Sequence, residues 1–409
     1  TRYTANGTRT VQDKISIDLD GKPVLQKGFA VMRTRYDARG FGIETRFLDA
    51  AGRPVRRSDG CAGYNRTFDD NGNRTSMTCL DAEDRPTYTQ RGWAKYTKAY
   101  DGNGNEIEIR FFDGEGRIAE VSDGFAIKRK SYDKYGRMVA EAYFDVEDRP
   151  ALTPEGYAEF RNELDDHGRD VRRTFLDAEG NLVEIAGGYA GWTAKYDERG
   201  NKIEIRFFDA AGKPTAGTRG YAGWRKTFDA LGNQTGLRYL GINGAVVLKD
   251  GNAGFQARFD EWSREVERVY IDEVGQPKLQ GWGGAGWQDS FDKFGRHVAR
   301  SFAGVDGEPV LHKNGYAGWR AEYDPNGNRT SLTYVGLEGR PVLNKDAHAR
   351  VEYDYDARGN RIEWRWLGLD GAPGTDISGP NAISRQRKTY DVFGREIAVS
   401  YTHLRAHET

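Results

Sequence analysis

Apolar and polar residues alternate along this chain in short runs, and each run ends in a small cluster of Asp, Gly, Asn or Pro. Residues 188–219 show the unit. Ala190, Trp192, Ala194 and Tyr196 fall on one side of an extended segment, and Ile203, Ile205 and Phe207 on one side of the next. A period of two is the strand signature, and neither segment has helical spacing. Between them stands Asp197-Glu198-Arg199-Gly200. An aspartate that accepts from its own downstream backbone, two free positions and a glycine predict a type I turn closed by a left-handed residue. A second such turn, Asp209-Ala210-Ala211-Gly212, leads into Pro214. Proline cannot donate to a ladder, so a short edge-like extended piece is expected after it.

The unit recurs. Its first-turn aspartate returns at Asp37, Asp69, Asp101, Asp133, Asp165, Asp197, Asp229, Asp260, Asp292, Asp324, Asp356 and Asp391, 32 residues apart except for one step of 31 and one of 35. Gly stands fourth in every one of these turns but one, where Ser263 replaces it. In the second turn the glycine is twice exchanged for aspartate (Asp84, Asp148), a residue that tolerates left-handed geometry. A ring stands near the end of nearly every second strand (Phe47, Phe111, Tyr143, Phe175, Phe207), with Cys79 in its place once. Alanine recurs near the head of each copy (Ala94, Ala126, Ala222), where only a small side chain is expected to fit.

A fixed period of this length means a repeat array rather than a string of globular domains. About two dozen strands spaced ~4.8 Å apart and rotated roughly 20° from one to the next predict an all-β fold. The expected architecture is tandem 32-residue β-hairpins forming an elongated, coiled antiparallel sheet or β-solenoid. Residues 1–27 read as a partial, degraded repeat, 28–399 as the array of eleven to twelve copies, and 400–409 as a tail that abandons the pattern.

Composition sharpens this picture in three places. Hydrophobic content is only 37% while aromatic content is 12%, so the core must rest on Tyr, Phe and Trp. Lys and Arg (61) balance Asp and Glu (62), which removes the electrostatic reason to expect nucleic acid or an anionic membrane as partner. No run approaches the ~20 apolar residues of a membrane-spanning helix. The two cysteines, Cys61 and Cys79, fall in one copy at positions that are aromatic or apolar in the others. Strand pairing could bring them within bridging distance, but two small buried thiols are the plainer expectation.

Tyr36-Asp37-Ala38-Arg39-Gly40, Tyr196-Asp197-Glu198-Arg199-Gly200-Asn201 and Tyr355-Asp356-Ala357-Arg358-Gly359-Asn360 resemble the Tyr-Asp repeat of bacterial Rhs-type proteins. The period here is longer, and the second turn with its Gly-x-Pro is not part of that motif. The resemblance implies a β-strand spiral within a large bacterial surface or secreted protein, with any enzymatic activity in a separate domain. The final ten residues resemble the adapter read-through that ends genes predicted from assembled environmental DNA, so His403 and His407 are not read as a metal pair. The chain opens within a degraded copy and without Met, and a longer protein is expected.

Chemistry is scarce. Turns such as Asp69-Asp70-Asn71-Gly72-Asn73 look like calcium loops, yet turn geometry alone accounts for them, and no metal or cofactor is expected. His167, His297, His312 and His348 sit at unrelated registers, which argues against an enzyme. Trp192, Trp224, Trp287 and Trp319 share one register, held elsewhere by Tyr64, Tyr96, Phe160 and Phe255. Such a ladder is expected to be core, and it supplies the candidate ligand-binding residues if a glycan stacks on it. The expectation is a non-catalytic structural and binding segment of a larger bacterial surface or exported protein, engaging protein or glycan at an extracellular or cell-surface location. The alternative is an interaction or regulatory module fused to an intracellular signalling enzyme.

Overall fold

The structure, a computed structural model, describes residues 2–5, 11–16, 28–374, 383–391, 394 and 396–403. The described chain forms 26 strands, β1 to β26 in chain order, and no helix. It divides into two units, Thr1–Lys195 with Ile205–Arg219, and Tyr196–Glu204 with Gly220–Thr409. Within the first, every strand from β1 (Arg2–Ala5) to β13 (Gly191–Tyr196) pairs antiparallel with the next in sequence. Within the second, the same holds from β15 (Gly223–Phe228) to β26 (Glu396–His403). The expected all-β fold of tandem hairpins in antiparallel sheet is therefore present.

One hairpin explains the rest. In β5 (Gly63–Phe68) and β6 (Arg74–Leu80), Tyr64 lies opposite Cys79 and Arg66 opposite Met77, and the register slips by one residue at the turn. That slip is the bulge predicted from the glycine. Inside the turn, Asp69 N–H donates to Asn73 O (3.0 Å) and Gly72 N–H to Asp69 O (3.2 Å). The Asp69 carboxylate closes it, Oδ1 accepting from Asn73 N–H (2.8 Å) and Oδ2 from the Asn73 side-chain amide (3.0 Å). Where arginine follows the glycine, its guanidinium takes the amide's place, as Arg137 does on Asp133 (2.6 Å). This is why Asn or Arg completes the motif. Ser263 carries φ 61°, and Asp84 and Asp148 carry 63° and 65°, so the exchanged residues keep the glycine's left-handed backbone.

The short proline segment folds back onto the second strand, with Val55 N–H donating to Phe47 O (2.9 Å) and Thr87 N–H to Cys79 O (2.9 Å). It ends in a third turn of the same form, unforeseen from the sequence. Thr89 N–H reaches Trp93 O (2.8 Å) and Gly92, at φ 84°, reaches Thr89 O (3.0 Å). Third turns of successive repeats bond to each other, Gln90 N–H to Asp59 O (3.0 Å) and Ser122 N–H to Arg91 O (3.0 Å). The glycine that seemed to open each copy is thus the left-handed corner of that turn. The alanine following each corner is sealed between neighbours, as Ala62, Ala94 and Ala126 show by donating to the second strands beside them.

One expectation needs correction. Cys61 and Cys79 are not free thiols; they form a disulfide, with Cα atoms 5.4 Å apart and both residues at 0% exposure. Hairpin register alone does not bring them together. The third turn does, by folding Cys61 back over the end of β6. At the other end of the chain, β26 runs to His403 and pairs with β25 (Ile383–Tyr390). Of the tail, residues 404–409 lie outside the described residues, as do Pro23 and much of the partial repeat.

Candidate functional site: a ring spine and its tryptophan flank

Rings before the second turns and rings after the third turns alternate in stacked runs, interrupted where Asn252 follows its corner. In the first unit it runs Trp93, Phe111, Phe125, Tyr143, Tyr157, Phe175, Tyr189, Phe207, with centroids 4.4 to 6.3 Å apart. Phe29 and Phe47 extend the series at 5.0 Å. Between Phe47 and Trp93 the Cys61–Cys79 pair occupies the two ring positions and packs in the same cluster. Strand pairing delivers one ring per repeat to this line and the third turn delivers the other. Tilted and edge-on contacts at these distances are the favourable aromatic geometries.

The second unit keeps the spine with substitutions. Tyr221 meets Tyr239 (5.0 Å), and Tyr316 meets Tyr334 (4.6 Å). Gly284 stands where a ring belongs, and Trp282, two residues earlier, folds its indole into the vacancy against Phe302 (5.2 Å) and His312 (5.7 Å). A Cβ on residue 284 would sit 2.1 Å from that indole, so glycine is required there by space. His348 takes the spine position itself, 5.5 Å from Tyr334. Burial pushes Tyr334 up to about 12 and lowers His312 below the usual imidazole range, Lys313 and Lys345 adding to the latter. These histidines serve as rings. His297 is different: its Nε2 lies 3.0 Å from Asp289 Oδ1, off the line of a hydrogen bond, with Phe291 and Trp319 against its faces.

The four candidate tryptophans stand beside the spine, half-buried, each in the same strand position. Trp224 lies opposite Tyr239, Trp287 opposite Phe302 and Trp319 opposite Tyr334. Trp192 belongs to the first unit, next to Arg173 on β12 (Asp170–Leu176). Cationic groups cover three of these rings, Trp192, Trp224 and Trp287, while Trp319 meets the His297 ring (4.5 Å). The Arg173 guanidinium lies between Phe160 (4.4 Å) and Trp192 (5.7 Å), Arg268 between Phe255 (3.9 Å) and Trp287 (5.7 Å), and Lys226 over Trp224 (4.5 Å). Interleaved rings and cations are a self-contained stack. Trp262, which shares no register with the others, is 67% exposed at a turn tip.

With that geometry in view, comparison with known proteins adds little. No family model and no curated protein matches the chain. Among solved structures it is similar to the crystal structure of TcdB2-TccC3, at 12% identity and a TM-score of 0.34, over 98% of this chain and 23% of that one. It is also similar to a structure of the Photorhabdus luminescens Tc holotoxin pore, at 12% identity and a TM-score of 0.33, over 95% and 21% respectively. The likeness is to Tc toxin components. This chain spans about a fifth of their length, and at such scores the likeness bears on neither shape nor activity.

The opposite face of the sheet is charged. Glu363 is buried and held by Arg365 (3.0 Å), Arg385 (3.0 Å) and Arg387 (2.5 Å). Burial works against its charge, but Arg387 and Arg365 outweigh that and keep the carboxyl below its ordinary range. Glu204 receives two bonds from Arg225 (2.9 and 2.6 Å) in the same manner. Such pairs order strands without offering a reactive group. Both Asp69 oxygens and both Asp324 oxygens accept within their own turns, and among the described residues no three metal-ligating side chains converge.

Proposed function

We propose that this chain is a non-catalytic structural segment of a larger exported bacterial protein, and that it engages partner protein along its exposed edges. The observation that carries this reading is the distribution of variation. Turns, spine rings and the alanine column persist from copy to copy, while exposed positions diverge. Leu248, Leu279, Leu311 and Leu343 occupy successive third edges of the second unit and are all exposed. The same place in the first unit holds Arg56, Tyr88, Glu120, Leu152, Glu184 and Ala216. The fold therefore does not require leucine there, and a row of leucines offers apolar surface to a polypeptide. The buried disulfide supports an oxidising compartment, and so favours the exported reading over the intracellular one.

Glycan engagement through Trp192, Trp224, Trp287 and Trp319 is the second reading, and the cations on the first three of those rings weigh against it. Tryptophan fluorescence across a glycan panel tests it. A shift that Trp224→Ala abolishes would establish the glycan reading and displace ours. The structural reading is tested by deleting whole 32-residue repeats from either end, with stability expected to fall in steps as nearest-neighbour interfaces are lost. All-or-none loss on removal of one repeat, or substrate turnover mapped to one copy, would overturn it.

A further inference from the structure

Two side chains in each hairpin face one another diagonally beside the first turn on the ring-bearing face, and the repeats act as controls for one another there. On β7 (Lys95–Tyr100) and β8 (Glu106–Phe112) these are Lys98 and Glu106, which form an ion pair. On β19 (Gly286–Phe291) and β20 (His297–Ala303) they are Asp289 and His297. In three others a cation faces a neutral residue: Ala194 with Lys202, Ala321 with Arg329, and Tyr353 with Arg361, whose guanidinium stacks on the ring (4.6 Å). Among the described hairpins only β5 and β6 place two cations together, Arg66 and Arg74.

Neither has a carboxylate partner among the described residues. Arg66 donates to Thr45 Oγ1 (2.8 Å) and to Gly42 O (3.4 Å), and Arg74 meets only the Met77 sulfur (3.9 Å) among side chains it can donate to. The Arg74 Nε–H is buried with no acceptor. Tyr64 lies under Arg66 (5.3 Å) and Tyr96 under Arg74 (5.5 Å), which fixes both guanidinium groups over the ring face. Burial, and then the charge of Arg74, make the cationic form of Arg66 harder to hold. Glu106 on the next hairpin gives no relief, because Lys98 and Lys130 (2.9 Å) already share it. Glu106 is thus committed to two lysines, and Arg66 and Arg74 have no carboxylate partner among the described residues. Two half-buried like charges without a counter-charge are costly unless an anion is supplied.

We propose that Arg66 and Arg74 form a binding site for a divalent oxyanion, a phosphate or sulfate group, flanked by Tyr64 and Tyr96. Two uncompensated unit charges match a dianion, whereas a carboxylate would leave one unbalanced. Paired guanidinium groups also present the donor pattern that tetrahedral oxyanions accept. The group is free in solution or carried as an ester.

Isothermal titration of the whole chain at constant ionic strength tests this, with inorganic phosphate, inorganic sulfate, methyl phosphate and acetate as titrants. Saturable binding of about one phosphate or sulfate per chain is expected, with acetate weaker. Methyl phosphate binding as tightly as phosphate assigns the site to esters; failure of methyl phosphate alone assigns it to the free ion. Arg74→Gln and Arg66→Gln are each expected to weaken binding about tenfold or more, the loss typical of a charged hydrogen-bonding partner. Arg361→Gln, at the matching place on β24 (Arg361–Leu367), is expected to bind as wild type. Circular dichroism shows that each variant is folded, and if one is not, the other decides. Absence of saturable binding, unchanged binding in both variants, or equal loss in Arg361→Gln would overturn the proposal.

Discussion

Replacing Cys61 and Cys79 tests the ring spine directly. Their bridge closes a loop with a sequence separation of 18. Removing that cross-link frees the unfolded chain by about 3 kcal/mol on the chain-entropy account. Cys61→Ala with Cys79→Ala also deletes two fully buried sulfurs from the cluster of Phe47, Tyr64 and Trp93. Counted as methylene-sized groups these add about 1.5 kcal/mol, for a total of about 4–5 kcal/mol. Cys61→Phe with Cys79→Phe separates the two contributions, because it restores the rings found at these positions in other repeats while leaving the loop open. Its loss should be about 3 kcal/mol. Guanidinium unfolding, read together with exchange protection of the Ala62 and Thr87 amides that donate to Leu80 and Cys79, localises the effect to this hairpin. An alanine pair as stable as wild type would refute the closure argument. A phenylalanine pair no more stable than the alanine pair would refute the claim that the disulfide stands in for rings.

Acid should melt the array steeply. Sixteen turn aspartates are held below the usual carboxylate range by bonds such as those of the Asn233 side chain to Asp229. A depressed folded value stabilises above the unfolded value of about 3.9 and is lost as pH falls through the folded one. Denaturant titrations should therefore show flat stability near neutrality and a collapse below about pH 4. A Cβ on Gly318 would lie 2.2 Å from Arg300 O, so Gly318→Ala is expected to cost about 1–3 kcal/mol by chemical denaturation. Ala347 holds the left-handed corner at φ 62°, and Ala347→Gly should stabilise by about 0.5–1 kcal/mol in the same assay.

Local rules were legible at particular residues. Asp197 through Gly200 announced a bulged turn, and the exchanges to Ser263 and Asp84 obeyed the left-handed geometry it needs. Ala222 and Ala253 announced a tight junction and are fully buried. The third turn was hidden because its first residue is not an aspartate but Arg57, Thr89, Val121 or His312 at different copies. With no carboxylate to mark it, only backbone bonds reveal it. That omission is also why the disulfide was missed. A signal for the anion site did exist in the sequence, as two arginines eight residues apart at positions where the other described copies never place two cations, but it means nothing until the hairpin register makes them neighbours.

What the amino-acid order determined by itself was everything set within a few bonds: strand, bulge, left-handed corner and the 32-residue period. These depend on φ preferences and on side chains reaching their own backbone. Tertiary structure alone decided which faces the rings present, that Arg173, Arg268 and Lys226 cover Trp192, Trp287 and Trp224, and that Cys61 meets Cys79. Those outcomes depend on the third turn folding each repeat back on itself, a long-range contact whose energy comes from burial shared between residues distant in the chain.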